Sequence, residues 1–170
     1  LAAIDANTRV VFLANPNNPT GTWFDAQALE RFLCAVPESV LVVLDEAYIE
    51  YAEGADLPDG LDYLGRFANL LVSRTFSKAY GLAALRVGYA LSSPQLADVL
   101  NRVRQPFNVN SLALTAAVAA LQDEDYLIAS RQLNDAGMQQ LESGLRDLGL
   151  RWIPSKGNFI AVDFATDSSK

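Results

Sequence analysis

The stretch Ser39–Tyr48, SVLVVLDEAY, carries an unbroken apolar run from Val40 to Leu44 and stops at two carboxylates, Asp45 and Glu46. A strand wetted on one side alternates apolar and polar residues. A continuous run instead belongs to a sheet covered on both faces, the setting of parallel α/β sheets. The flanking sequence repeats the theme. Arg9–Ala14 in TRVVFLANP is a second apolar strand that ends in the turn cluster NPNNPTG, Leu70–Ser73 is a third, and Val87–Leu91 a fourth.

Helical patterns separate these runs. Asp25 is an N-cap followed by Ala28, Leu29, Phe32, Leu33 and Val36 at helical spacing, and Pro37 stops the helix. Ser93 caps a helix with Pro94 in its first position and Leu96, Val99, Leu100 and Val103 along it. Two further helices are expected over Ser111–Leu121 and Glu124–Leu148, and the tail LRWIPSKGNFIAVDF reads as strand, break and strand. The alternation predicts an α/β fold, a mostly parallel sheet with flanking helices, followed by the start of a small α+β C-terminal domain. The expected boundaries are 1–122 for the large domain, 123–148 for a long connecting helix and 149–170 for the incomplete small domain.

Composition narrows the chemistry. The 170 residues are 51% hydrophobic and 19% charged, enough for a sizeable core, and the net charge of −7 argues against nucleic acid or an anionic membrane as a partner. No apolar run is long enough to span a bilayer, so a cytoplasmic location is expected. The single cysteine, Cys34, rules out an internal disulfide; its neighbours RFLCAV predict a buried structural thiol. There is no histidine, which removes His-ligated metal sites and Ser–His or Cys–His nucleophiles. Proton transfer near neutral pH is left to carboxylates, tyrosines or a lysine.

In open α/β sheets ligands bind beyond the C-terminal ends of the strands. Three polar clusters stand at such ends: Asn15–Gly21, Asp45–Tyr48 and Arg74–Lys78. Each has an ordinary explanation when read alone, as a tight turn, a turn cap or a surface lysine. Together they describe one pocket. Lys78, between Ser77 and Ala79 at an expected helix start, suits Schiff-base chemistry in a setting with room for a planar ring. Thr75 and Ser77 supply hydroxyls and Arg86 a fixed cation for a phosphate monoester. Asp45, expected on the buried side, is placed to hold a cationic ring nitrogen, with the Tyr48 phenol nearby. A planar ligand with a phosphate, a ring nitrogen and a carbonyl is pyridoxal 5′-phosphate. Arg102 and Arg104 read as a solvated helix face, Asn110 and Asn158 as turn asparagines, and Trp23 and Trp152 as packing residues.

NPNNPTG, DEAY and SRTFSKAYGLAALRVGY, in this order, resemble the fold-type-I pyridoxal-phosphate aminotransferases, and QPFNVNSLA and GNFIAVDF are similar to the histidinol-phosphate branch of that family. The resemblance covers essentially the whole chain. It implies that Lys78 is the Schiff-base lysine and proton shuttle, that Asp45 partners the pyridine nitrogen, and that Asn18 and Tyr48 bond the cofactor's phenolic oxygen. Thr75, Ser77 and Arg86 then form the phosphate cradle, and 1–122 is the central part of the cofactor-binding domain. It further implies amino transfer from histidinol phosphate to 2-oxoglutarate in histidine biosynthesis, small-molecule amino-acid phosphate and 2-oxo acid substrates, and a homodimer in the full-length form. A related decarboxylase of a phosphorylated amino acid and a non-catalytic cofactor-binding module are the alternatives. The family's glycine-containing phosphate turn, its ring-stacking aromatic and its substrate-gripping arginine have no counterpart here. The chain is therefore expected to be the central piece of a longer enzyme, with weak or no transaminase activity alone.

Overall fold

The computed structural model describes residues 1–52 and 56–164. Its first sheet has the order β1 (Val10–Ala14), β2 (Leu41–Asp45), β3 (Leu70–Thr75), β4 (Gly88–Ser92). The first three strands are parallel; β4 runs antiparallel to β3. Helix α1 (Ala26–Ala35) links β1 to β2, and α2 (Pro94–Val103), α3 (Ser111–Leu121) and α4 (Glu124–Asp147) follow β4 in the chain. A second, antiparallel sheet pairs β5 (Arg151–Ile153) with β6 (Ala161–Asp163). The six expected strands and the four helices expected elsewhere in the chain are present, with strand ends displaced by one or two residues.

Each described α-helix start is fixed by a side chain that accepts one of the otherwise unpaired first-turn amides. Asp25 accepts from Ala28, Ser93 from Leu96, Asn110 from Ala113 and Asp123 from Tyr126. Asn110 is thus a cap, in keeping with its reading as a turn residue.

Strand alternation divides the first sheet into unlike faces. Val42, Leu44, Leu70 and Val72 point to the back, are completely buried, and pack on Leu29 and Leu33 of α1. Burying each such side chain contributes roughly 1.5–3 kcal/mol. The front face was expected to be covered as well, and at β1 it is not: Phe12 is 74% and Val10 42% exposed, although both lie in an apolar strand, whereas Leu71 on the same face of β3 is buried. Phe12 pairs in register with Val43 and Ala14 with Asp45, so the open side is the one that carries Asp45.

Two further expectations are corrected. Cys34 is exposed, because it lies one position past Leu33 on α1, outside the stripe that faces the sheet. It borders a cavity of about 700 Å³ lined also by Leu96 and Val99 of α2. Trp23 is 40% exposed, its ring covered by the Lys156 ammonium at 5.5 Å from the centroid. Trp152 is half-buried and takes the Arg146 guanidinium at 5.8 Å.

Candidate active site

The register explains why three segments far apart in sequence share one rim. Ala14 is level with Asp45, and Asp45 with Ser73, so the parallel strands β1, β2 and β3 end side by side. The antiparallel β4 begins where they end, with Gly88 opposite Thr75, and so brings Arg86 to the same edge. Gly88 is needed there: a Cβ would stand 2.8 Å from the Arg74 carbonyl oxygen.

At the first strand end, the Asn15 side chain closes the turn by accepting from the Phe24 amide at 3.0 Å and donating to its carbonyl at 3.3 Å. That turn presents Asn18, whose Nδ2 donates to the Tyr48 hydroxyl at 2.9 Å. Tyr48 is buried, and Phe159 packs edge-on against its ring at 5.1 Å. Phe159 comes from the loop between β5 and β6. The same loop is tied to the first turn by a hydrogen bond from the Lys156 amide to the Gly21 carbonyl, 2.9 Å.

After β3 the chain turns sharply. Thr75 Oγ1 accepts from the Ser77 amide at 3.0 Å, and the Gly81 amide donates to the Lys78 carbonyl at 2.9 Å. Phe76 and Ala79 are buried, Phe76 against Tyr80 and Tyr89, which leaves Ser77 and Lys78 turned to the rim. Lys78 is exposed, with its Nζ 5.4 Å from the centre of the Tyr48 ring, within cation–π range. The expected helix start at Lys78 is absent: residues 76–82 form bends and a turn, followed by a 3₁₀ turn, Ala83–Leu85. Arg86 has a left-handed backbone, φ 55°, and donates from Nη1 to the Ala83 carbonyl at 2.9 Å.

Asp45 was expected on the buried side, and it is Glu46 that lies there. Asp45 lies exposed on the open front, where the Ser73 hydroxyl donates to its Oδ1 at 3.4 Å. Glu46 is 1% exposed. Its Oε2 accepts from Arg74 Nε at 2.9 Å and Nη2 at 2.7 Å, and its Oε1 from the Gly60 amide at 2.7 Å. Arg74 Nη2 also reaches Asp59 at 2.7 Å. Burial pushes the Glu46 carboxyl up while Arg74 pulls it down; burial opposes the charge of Arg74, but Glu46 and Asp59 hold the guanidinium protonated. Nearby, burial raises Glu50 to about 7, and its Oε2 has no hydrogen-bond partner. Arg74, Asp59 and Phe159 were not singled out from sequence. Arg74 was detectable by strand alternation, since it must face away from Ser73 as Glu46 faces away from Asp45.

The rim therefore holds an amine, a phenol–amide pair, an open carboxylate, two hydroxyls and a guanidinium. Pyridoxal 5′-phosphate carries a phosphate, a ring nitrogen, a phenolic oxygen and an aldehyde, and this donor set holds at least one side chain of a type suited to each. Among the described residues no cluster suited to a metal ion occurs, and no helix is long and apolar enough to cross a membrane.

Residues 1–169 match the profile of the family "Aminotransferase class I and II", and the chain belongs to that family. It is 81% identical over 163 residues to histidinol-phosphate aminotransferase 2 of Pseudomonas fluorescens (strain Pf0-1), covering 96% of this chain and 44% of that protein. It is 79% identical over 168 residues to histidinol-phosphate aminotransferase 2 of Pseudomonas aeruginosa, covering 99% of this chain and 46% of that protein. In structure it resembles histidinol-phosphate aminotransferase from Sinorhizobium meliloti, a protein crystallised in complex with pyridoxal 5′-phosphate. The TM-score is 0.89 at 42% identity, over 96% of this chain and 44% of that one. The chain spans less than half the length of these relatives.

Proposed function

We propose that the complete protein transfers the amino group of histidinol phosphate to 2-oxoglutarate, giving imidazole-acetol phosphate and glutamate, with pyridoxal 5′-phosphate bound at the rim. The observation that carries this reading is the approach of Lys78 Nζ to Tyr48, itself hydrogen-bonded to Asn18. The similarity to the Pseudomonas relatives supports the choice of substrate.

The cofactor, when bound, supplies an electron sink for the pair left as the substrate's α-proton departs. The chain's own residues do the rest. Lys78 Nζ would be the covalent anchor and, as a free amine, the base that takes the substrate's α-proton and the acid that gives it back. The Asp45 carboxylate holds the ring nitrogen in its cationic form, which deepens the sink. Asn18 Nδ2 and Tyr48 OH, already paired, donate to the phenolic oxygen. Thr75 and Ser77 hydroxyls and the Arg86 guanidinium take the phosphate. The enzyme works in the cytoplasm as a homodimer, and further segments of the longer form cover the open front face. Residues 1–122 are the central part of the cofactor-binding domain, 123–148 the connecting helix and 149–170 the start of the small domain.

Borohydride reduction in the presence of pyridoxal phosphate, followed by peptide mass mapping, tests the assignment. Label is expected on Lys78 and lost in Lys78→Ala, while Lys156→Ala labels as the parent does. Equal labelling of both variants would place the anchor elsewhere.

A further inference from the structure

We propose that Arg74 is a positioning residue: with Glu46 and Asp59 it forms a strut on the back of the sheet that holds the front-face cofactor groups in place. The inference rests on the function proposed above and adds to it a residue that touches neither cofactor nor substrate.

The geometry is two-sided. On the front, Asp45 and Ser73 stand level in neighbouring strands, with Thr75 one pleat further on. On the back, displaced by one residue in each strand, stand Glu46 and Arg74. The Arg74 fork is nearly buried at 12% side-chain exposure and Glu46 is buried at 1%. Arg74 Nε and Nη2 both donate to the one oxygen Oε2, and Nη2 also reaches Asp59, so one rigid planar group spans two carboxylates, which a lysine ammonium on its flexible stem does not reproduce.

The strut reaches three segments. Glu46 directly follows β2, Arg74 lies within β3, and Asp59 caps the 3₁₀ turn Gly60–Tyr63, accepting from the Leu61 amide at 2.8 Å. Gly60 closes the assembly by donating to Glu46 Oε1, and a Cβ there would lie 2.8 Å from that oxygen and from the Leu44 and Val72 side chains. Beyond Asp45 and Thr75 the regular ladder stops. At the strand ends there remain the Asn15 amide on the Asp45 carbonyl at 3.0 Å, the Glu46 amide on the Ser73 carbonyl at 2.9 Å and the Phe76 amide on the Val87 carbonyl at 3.2 Å. Lys78 lies two residues past Phe76, so play between β2 and β3 at their ends passes to Asp45 and Lys78.

The test compares Arg74→Lys, Glu46→Gln and the milder Asp59→Asn with Arg66→Lys, which alters the exposed Arg66–Glu30 pair as a control. Hydrogen exchange is read by mass spectrometry on the cofactor-free chain, and pyridoxal phosphate affinity is read separately. With Arg74→Lys, exchange is expected to accelerate about tenfold over residues 45–48 and 73–78 while 10–13 and 41–44 keep the parent's rates. Asp59→Asn gives the same pattern more weakly, and the control gives none. Cofactor affinity falls about tenfold in Arg74→Lys, yet Lys78 still labels at saturating cofactor. Unchanged exchange at the strand ends, or acceleration spread evenly over all four strands, would overturn the strut. If the parent itself fails to label at Lys78, the proposed function falls, and the exchange comparison still decides the strut by itself.

Discussion

The Asn18 side-chain amide donates to the Tyr48 hydroxyl across thirty residues of sequence, joining the ends of β1 and β2 at the rim. Tyr48 is buried but Asn18 is exposed, so water can replace either partner in part. Tyr48→Phe keeps the packing on Phe159 and removes only the hydroxyl. It should lower stability by about 1 kcal/mol, the usual net worth of one hydrogen bond. In a urea-unfolding double-mutant cycle, Asn18→Ala should then cost little more in the Tyr48→Phe background. Full additivity of the two changes would show that the pair is not coupled.

Glu50 gives a pH signature. Burial raises its carboxyl from the ordinary 4.5 to about 7, with Arg74 opposing the rise and Glu46 and Asp59 adding to it. The folded chain therefore binds a proton between these values that the unfolded chain has lost. Unfolding free energy falls as pH rises from 4.5 through about 7 and is flat in this contribution above that. Glu50→Gln removes the burden, so it should match the parent near pH 4 and exceed it at pH 8 by at most about 3 kcal/mol. Chemical denaturation of both proteins across that range is the check; a difference that does not change with pH would exclude the burial account.

Cys34 should react in the native state. It is exposed, and its neighbours in the core, Leu33 and Val36, are not. A thiol-specific reagent should therefore modify one group per folded chain without denaturant, at a rate close to that of the urea-unfolded chain. Protection of more than about a hundredfold, which corresponds to a required opening of nearly 3 kcal/mol, would contradict the exposed position.

How far the sequence was legible varied with the range of the interaction involved. Caps such as Asp25 and Ser93 act on amides three residues away, and those helix starts were read correctly from local pattern. The rim was also readable, because parallel strands of similar length must end together. The environment of Asp45 was not: whether a strand face is covered depends on what packs over it, and the apolar character of Val10 and Phe12 states only what would be tolerated there. Cys34 failed for a related reason, since RFLCAV is apolar enough to hide which residue of a helical turn faces the sheet. Arg74 and Asp59 meet Glu46 only after folding, and charge in the sequence does not reveal a partner.

The contact between the β5–β6 loop and the first turn gives the last prediction. Gly21 has φ 75°, a conformation that costs a side-chain-bearing residue roughly 1–2 kcal/mol, and a Cβ there would run into Ser155, whose Cα would be 2.8 Å away. Gly21→Ala should therefore strain the turn and push off the loop that carries Lys156 over Trp23 and Phe159 against Tyr48. A loss of about 2–3 kcal/mol is expected in thermal or urea unfolding, with a change in Trp23 fluorescence as its cationic neighbour withdraws. Gly144→Ala serves as the opposite case. Gly144 lies within α4 with no atom within 4 Å of an added Cβ, so alanine there should stabilise by about 0.5–1 kcal/mol. Opposite signs at the two glycines would place the cost at Gly21 in its backbone and the docked loop; equal signs would mean that the loop does not rest on the turn.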